Sequence, residues 1–388
     1  MNVVYHKAAM ADYDDVIDFG NYVFSHAHIS TDFPVLLPKL YRREYFMEGL
    51  HYLAREEGGG IKAALGAYPM IMNILGEKLP GRGIGMVSVH PYARSRGYMR
   101  TLMNMALEDM QKDGVVFSCL GGQRQRYEYF GYAPAGTLME FSCSKANIRH
   151  TLGKDFTPAL ALTQVLAEDR ELLGAITAFH ESKIARIERR GDRVFPILSS
   201  WRNRIYAFME NGSFAGYLVY NPGQNEVREI NLKDFSRTAE ALGLFLNRPE
   251  GSAEQALVAA QPQETEKLEA LSRFAEYCKV EPAYHFAVLD WAALLPPLLK
   301  LKARINTLAE GSVTVKIGDR GSFRIAVSGG VPSVAPVSAA PDISLTSLEA
   351  VSFFFSHLSR AVSPQIRRDP FLQSLLPLPL FFEGTDEV

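Results

Sequence analysis

The residues from Val87 to Arg100 have the types and spacing of a phosphate-binding turn. A strand-like apolar run precedes them, and an amphipathic helical pattern begins at Gly97. A helix that starts there presents unpaired backbone N–H groups and a partial positive charge, and a glycine lets a phosphate approach the backbone. Three arginines add positive charge, at Arg94, Arg96 and Arg100. These residues predict a pyrophosphate site, although a solvated basic turn before an amphipathic helix would have the same residues.

The histidines and cysteines predict no metal site. His26, His28 and Asp32 lie close together in the sequence, but their spacing matches no ligand set that binds zinc. The three cysteines are an odd number, lie far apart and have apolar or aromatic neighbours, at Cys119, Cys143 and Cys278. We therefore expect buried free thiols and no bound metal.

The elements around the candidate phosphate turn alternate between strand and helix. Residues 50–57 and 61–75 flank three glycines and predict a β-hairpin. Residues 83–91 predict a strand that stops at a proline, and 97–113 predict a helix with one apolar face. A central strand, a short helix and a last strand are predicted over 115–120, 123–130 and 136–143. This order favours a mixed α/β domain.

The next segment of the chain repeats this alternation of strand and helix weakly, and the last part of the chain has a different pattern. Asn211-Gly212 joins two aromatic-rich segments and predicts a second hairpin, and 235–246 predict a helix. Thr346 and Glu349 have the spacing of a capping box before an apolar helix near the end of the chain. Two short strands are expected before that helix, over 312–319 and 322–329.

Two motifs resemble those of the GNAT superfamily of N-acetyltransferases, and of the enhanced intracellular survival (Eis-like) family in particular. The first is Val-x-Val-x-Pro-x-x-Arg-x-Arg-Gly-x-x-Arg, from Val87 to Arg100. Most of the superfamily has glycine or alanine where this chain has Met99. This difference favours the Eis-like family's version of the motif. The second motif runs from Tyr127 to Tyr132, is followed by Ala-Pro, and is similar to that family's aromatic-Phe-Gly-Tyr segment.

The resemblance implies an α/β fold with mixed sheets and three domains. We expect a catalytic GNAT domain over 1–148, a degenerate second GNAT-like domain over 149–283 and a sterol-carrier-protein-like domain over 284–388. The middle segment lacks a second loop of arginines and glycine, so we expect it to bind no coenzyme.

The resemblance also implies acetyl-CoA as the co-substrate and assigns residues to it. Tyr127 is the expected general acid, and the chain's terminal carboxylate, on Val388, is the expected base. A frayed C-terminus is one alternative, and Asp386 or Glu387 in the role of the base is another. We expect Phe24, His26 and Asp32 to line the acceptor cleft. The residues expected to bind acetyl-CoA are Val87, Ser88, Val89, Arg94, Ser95, Arg96, Gly97, Tyr98, Met99, Arg100, Gly122 and Gln123.

Composition and chain length limit the classes of function that are expected for this protein. The 388 residues carry 41 basic and 43 acidic side chains, a net charge of -2, which provides no overall field for nucleic acid or an anionic membrane. The first residues lack a signal-peptide pattern, so a cytoplasmic protein is expected. We predict an enzyme that acetylates amines on polycationic small molecules or lysine side chains. The alternatives are an apolar-ligand carrier or a regulatory oligomer with a vestigial site. The family forms rings, so a homo-oligomer, commonly a hexamer, is implied.

Overall fold

A computed structural model describes residues 2–27 and 30–388. Its strands, numbered in chain order, are β1 (Val3–Lys7), β2 (His51–Glu56), β3 (Ile61–Ile74), β4 (Glu77–Val89), β5 (Phe117–Leu120), β6 (Ala133–Ala135), β7 (Leu138–Ser144), β8 (Leu160–Val165), β9 (Ala185–Ile187), β10 (Arg204–Glu210), β11 (Ser213–Asn221), β12 (Glu226–Leu232), β13 (Gln255–Ala260), β14 (Cys278–Glu281), β15 (Tyr284–Val288), β16 (Gly311–Ile317), β17 (Ser322–Ser328), β18 (Val331–Pro336) and β19 (Ile343–Leu345).

The α-helices are numbered in the same way. They are α1 (Tyr13–Ala27), α2 (Phe33–Leu36), α3 (Pro38–Tyr41), α4 (Tyr98–Lys112), α5 (Arg124–Tyr127), α6 (Lys145–Leu152), α7 (Arg170–Glu181), α8 (Val194–Ser199), α9 (Thr238–Leu246), α10 (Thr265–Ser272), α11 (Trp291–Ile305), α12 (Ser347–Phe355), α13 (Ser359–Val362), α14 (Pro364–Arg368) and α15 (Pro370–Leu375). Among the described residues, no helix combines the length and apolarity that a membrane span needs.

The chain divides into two compact units. Unit 1 contains residues 1–135, 284–377 and 387–388, and unit 2 contains 136–283 and 378–386. Most local sequence predictions are confirmed. The hairpin at Asn211-Gly212 joins β10 to β11, with φ of 49° and 79° at those two residues. The capping box at Thr346 and Glu349 begins α12.

Unit 1 is built on a mixed sheet whose strand order is β1-β2-β3-β4-β5-β15-β6. Its neighbours are antiparallel except β4 and β5, which run parallel. A parallel pair needs a crossover connection, and α4 supplies it. The apolar face of α4 buries Leu102, Met103 and Ala106 in one core cluster with Leu65 and Ile84 of the sheet. This packing fixes where α4 begins.

The remainder of unit 1 contains a smaller sheet, of strand order β18-β17-β16-β19. Trp291 of α11 is buried and stacks on Phe355 of α12, with ring centroids 5.8 Å apart. The strands predicted over 312–319 and 322–329 are β16 and β17. β18 lies in a connection rich in glycine, proline and serine, over residues 329–341, where the sequence predicts no strand.

Unit 2 is a second mixed sheet, of strand order β14-β7-β13-β12-β11-β10-β8. Only β12 and β13 are parallel within it, and α9 connects them as α4 connects β4 and β5. The N-terminus of α9 has no glycine turn. Asp234 instead caps the 3-10 turn Phe235–Arg237 that leads into α9, accepting a hydrogen bond from the Ser236 N–H at 2.9 Å, so a negative charge already lies before this helix.

Two sequence predictions are wrong in this region. The strand predicted over 136–143 as the last strand of the first sheet is β7, which pairs with β13 and β14 in unit 2. Its expected place is filled by β15, whose buried Phe286 and Ala287 pack where β5 and β6 would otherwise have an open edge. Cys278 is exposed and not buried, because it lies on the edge strand β14; Cys119 and Cys143 are buried as expected.

Candidate active site

The predicted phosphate turn lies between the end of β4 and the start of α4. After Val89 the chain makes a short 3-10 turn at Pro91–Ala93 and reaches Gly97, the N-cap of α4. Gly97 has φ of 80° and ψ of 0°, a left-handed conformation that favours glycine. A side-chain carbon placed on Gly97 would meet no atom within 4 Å. The backbone at this position is therefore open to an approaching group.

Positive charge surrounds this turn without a carboxylate to neutralise it. Arg94, Arg96 and Arg100 are exposed and make no ion pair with any described residue. Arg55 shows the contrast, because it pairs with both Asp12 and Asp15. The first turn of α4 contains no acidic residue and its N-cap has no side-chain hydrogen bond. The free backbone donors and the guanidiniums together suit an anion.

The other residues predicted to bind acetyl-CoA differ in how far their side chains are exposed. Ser95 is exposed with φ of 65°. Tyr98 is buried in the core with α4, and Met99 packs against that core, so their side chains are structural. Ser88 is also buried, and its hydroxyl donates to the Met86 carbonyl at 2.9 Å.

β4 extends beyond the end of β5 and leaves a gap at its side, because β5 ends at Leu120, opposite Ile84. Their parallel pairing covers Gly81–Ile84, whereas β4 continues to Val89. A bulge lies just beyond the pairing, where Met86 and Val87 together oppose Leu65 of β3. Met86 has φ of 50°, and the bend turns the end of β4.

A backbone donor of β4 points into this gap. The His90 N–H donates to the Lys62 carbonyl of β3, at 2.9 Å. Successive N–H groups of a regular strand point to opposite sides, so the Val89 N–H points away from β3. The Val89 N–H can therefore donate to a group that lies in the gap beyond β5.

Tyr127 ends the short helix α5 and is 7% exposed. Its ring lies against Gly122, where an added side-chain carbon would come within 2.5 Å of it, and edge-on to Tyr132, with centroids 6.4 Å apart. Burial raises the pKa of the Tyr127 hydroxyl, and nearby Arg126 opposes that shift. The hydroxyl is protonated at neutral pH and can donate a proton. Gln123 is the exposed N-cap residue of α5.

The chain terminus lies on the opposite face of β4, in a groove of glycines that we had not expected. Gly81, Gly83 and Gly85 alternate along the strand and thus share one face. A side-chain carbon on Gly83 would come within 2.6 Å of the Val388 side chain, and one on Gly85 within 3.0 Å of the Val388 carboxyl carbon. The pattern Gly-x-Gly-x-Gly inside a strand was the available signal, because it marks a close approach to the backbone.

A buried polar pair lies beside the terminus. The Tyr68 ring is also near Gly85, and its hydroxyl is 2.9 Å from His51 Nε2. Burial lowers the pKa of His51 to about 4, so His51 is neutral at neutral pH. Neither residue was selected from the sequence, because aromatic and histidine residues in strands are usual core residues.

The residues predicted to line the acceptor cleft are only partly brought together. His26 is exposed and stacks on Tyr22, which stacks in turn on His90 at the end of β4, with centroids 6.2 and 5.4 Å apart. Phe24 packs edge-on against Phe33. Asp32 is exposed and caps α2 by accepting from the Val35 N–H at 3.4 Å. His28 lies outside the described residues.

Comparison with known protein families finds a match for the first part of the chain. Residues 4–135 match a family model described as an acetyltransferase (GNAT) domain. No curated protein matches the chain.

Solved structures that match nearly the whole chain include the following three. A probable N-acyltransferase from Enterococcus faecalis V583 shares 16% identity, covers 98% of both chains and has a TM-score of 0.67. A GCN5-related N-acetyltransferase from Kribbella flavida shares 19% identity, covering 100% of this chain and 98% of its own, with a TM-score of 0.64. Eis1 from Mycobacterium abscessus shares 14%, covering 100% and 99%, with a TM-score of 0.62. The α/β fold class is confirmed, and residues 4–135 form an acetyltransferase domain of the GNAT type.

Proposed function

We propose that this chain is an acetyl-CoA-dependent N-acetyltransferase of the Eis-like family that acetylates amines. The observation that carries the proposal is the turn at Gly97, where free backbone donors and three arginines with no ion pair among the described residues follow the unpaired end of β4. The pyrophosphate of acetyl-CoA fits this turn, because it needs donors and positive charge and no carboxylate competes there. The thioester would then lie beside β4 beyond Ile84, where the Tyr127 hydroxyl and the Val388 carboxylate are proposed to reach it.

In the proposed reaction the amine nitrogen attacks the thioester carbonyl carbon, the new C–N bond forms, and the C–S bond breaks. The Val89 N–H stabilises negative charge on the carbonyl oxygen during the attack. The Val388 carboxylate accepts the proton that the amine loses, and the Tyr127 hydroxyl donates a proton to the leaving thiolate. The base is needed because a free alkyl amine has a pKa of about 10.4 and is mostly protonated at neutral pH.

The exposed carboxylate of Asp32 supports an amine as the acceptor. It caps α2 and offers a negative charge to a cationic amine, near the stacked rings of Tyr22 and His26. Aminoglycoside-like polyamines and lysine side chains both present such groups. Assembly into a homo-oligomer, a hexamer in the family that the chain resembles, remains part of the proposal.

A thiol-release assay with acetyl-CoA and a panel of amines tests this function. Tyr127→Phe removes the proposed acid and keeps the ring, so we expect turnover to fall about 100-fold while acetyl-CoA affinity is retained. Tyr129→Phe is the matched control, because Tyr129 is two residues away and 86% exposed. Equal activity of both variants would remove Tyr127 from the mechanism. The absence of thiol release with every amine would contradict the enzymatic function.

A further inference from the structure

A second cleft, of about 700 Å³, lies within unit 2 between α6, α9 and the segment that leads into β8. Its apolar wall includes Ile148 and Leu152 of α6 and Leu244 of α9, which belong to or pack against the core of unit 2. Gly243 keeps the two helices close, since a side chain there would press on Ile148 at 3.2 Å. The close contact between α6 and α9 thus forms part of the cleft wall.

A buried arginine lies in the wall of this cleft. Arg248 follows α9 and is only 4% exposed. Its guanidinium lies 4.0 Å from the ring centroid of Phe245 and 4.8 Å from that of Tyr220, and its Nη1 donates to the Phe245 carbonyl at 2.8 Å. Its Nε is buried and has no hydrogen-bond partner among the described residues, and the same is true of the neighbouring Tyr206 hydroxyl.

The charge of Arg248 has no anionic partner. Among the described residues, no carboxylate forms an ion pair with it, whereas buried Arg189 in the same unit pairs with Glu229 and Asp386. A guanidinium cannot lose its charge at accessible pH, so burying it without a counter-ion is unfavourable. Arg248 is therefore prepared for an anion from outside the chain.

The surroundings of the cleft favour the same ligand. Arg149 and Lys154 line it, are exposed and make no ion pair with a described residue. Glu240 also lines it, but its carboxylate already accepts from the Ala159 and Leu160 N–H groups and from Arg237. Exposed Glu250 is the remaining acidic residue of the wall. The cleft wall thus carries more positive charge than negative charge that is not already hydrogen-bonded or paired.

We propose that this cleft binds an amphipathic anion, with a carboxylate or phosphate head at Arg248 and an apolar chain along Ile148, Leu152 and Leu244. The head would supply the counter-ion that the Arg248 guanidinium lacks among the described residues, and the chain would cover the partly exposed side chains of Leu152 and Leu244. The site lies wholly in unit 2, and the inference does not depend on the transferase function proposed for unit 1.

Calorimetry on the full-length protein tests the ligand class, using four probes below micelle-forming concentrations: laurate, dodecyl phosphate, dodecanol and inorganic phosphate. We expect one of the two amphipathic anions to bind at one site per chain, at least tenfold more tightly than dodecanol or inorganic phosphate. The tighter of the two anions identifies the head group. Dodecanol binding as tightly as both anions, or no saturable binding of any probe, would overturn the proposal.

Variants locate the site. Arg248→Gln should weaken binding of the preferred anion at least tenfold, and Arg170→Gln, on the exposed surface of α7, should leave it unchanged. Lys154→Glu changes an exposed residue, so it tests the cleft even where Arg248→Gln does not fold, and it should weaken the anion severalfold without affecting dodecanol. Unchanged anion binding by Lys154→Glu and by a folded Arg248→Gln would show that Arg248 only caps the C-terminus of α9.

Discussion

Gly97 is the residue at which backbone conformation and chemistry coincide. Its left-handed φ of 80° costs a non-glycine residue about 1 to 2 kcal/mol, and its position at the start of α4 leaves backbone donors uncovered. Asparagine and aspartate tolerate this conformation better than other residues. A comparison of those two residues at position 97 therefore separates the effect of charge from that of strain.

We expect Gly97→Asp to weaken acetyl-CoA binding at least tenfold more than Gly97→Asn does. The two side chains have nearly the same size, but the aspartate repels the pyrophosphate and occupies the end of α4 as Asp234 does before α9. Calorimetric titration of both variants with acetyl-CoA decides this. Equal affinities would mean that the pyrophosphate does not bind at this turn.

At the scale of elements, β4 organises the proposed site. Its pairing with β5 stops at Ile84, its bulge at Met86 turns its end away, and its glycines accommodate the chain terminus on one face. One strand thus supplies the proposed carbonyl-binding donor and accommodates the proposed base.

Gly85→Ala tests the role of that glycine face. The added carbon would lie 3.0 Å from the Val388 carboxyl carbon, which must then move. We expect turnover to fall at least tenfold with acetyl-CoA affinity nearly unchanged, because the phosphate turn is not altered. Gly60→Ala is the control, since a side chain there meets nothing within 4 Å. If a folded Gly85→Ala variant has the same steady-state kinetics as Gly60→Ala, the position of the terminus does not affect catalysis.

Local patterns in the sequence predicted the elements that depend on neighbouring residues. The apolar spacing of α4, the turn at Asn211-Gly212 and the capping box at Thr346 are all short-range signals. Pairing between distant segments was not predictable in the same way. β7 and β15 have similar strand patterns, and only the packing of the complete sheets determines which of them each sheet contains.

The residues of the candidate site show the same difference between local signals and contacts of distant segments. The turn from Arg94 to Gly97 could be found because its residues are consecutive, and Tyr127 because its motif is compact. The approach of Val388 to Gly83 and Gly85 joins residues some 300 positions apart, and the motif resemblance alone suggested it. The pair of His51 and Tyr68 gives no local signal, because its hydrogen bond depends on tertiary packing.

At the scale of the whole molecule, the C-terminal segment belongs to both units. Residues 378–386 form part of unit 2, and 387–388 form part of unit 1. In unit 2 the segment is held by buried charge. Arg189 pairs with Glu229 and Asp386, at 2.6 and 2.7 Å, and Lys183 pairs with Glu383 at 2.7 Å. Asp386 is engaged in this network, which argues against its use as the catalytic base.

Arg189→Met should destabilise the protein by about 3 to 5 kcal/mol, because it leaves the carboxylates of Glu229 and Asp386 buried without their cation. Arg190→Met is the control, since Arg190 is the next residue and its side chain is 70% exposed. Urea unfolding followed by circular dichroism measures both. A loss below about 1 kcal/mol for Arg189→Met would show that water or other cations replace the guanidinium.

The most direct test of the account is the effect of a short C-terminal extension beyond Val388 on formation of the acetylated amine, detected by mass spectrometry together with released thiol. The extension moves the terminal carboxylate away from Gly85, whereas Glu387→Gln removes the adjacent side-chain charge and leaves that carboxylate in place. We predict that wild-type protein and Glu387→Gln form product at comparable rates, and that the extended protein binds acetyl-CoA normally but loses turnover at least tenfold. Full activity of the extended protein would contradict the assignment of the Val388 carboxylate as the base.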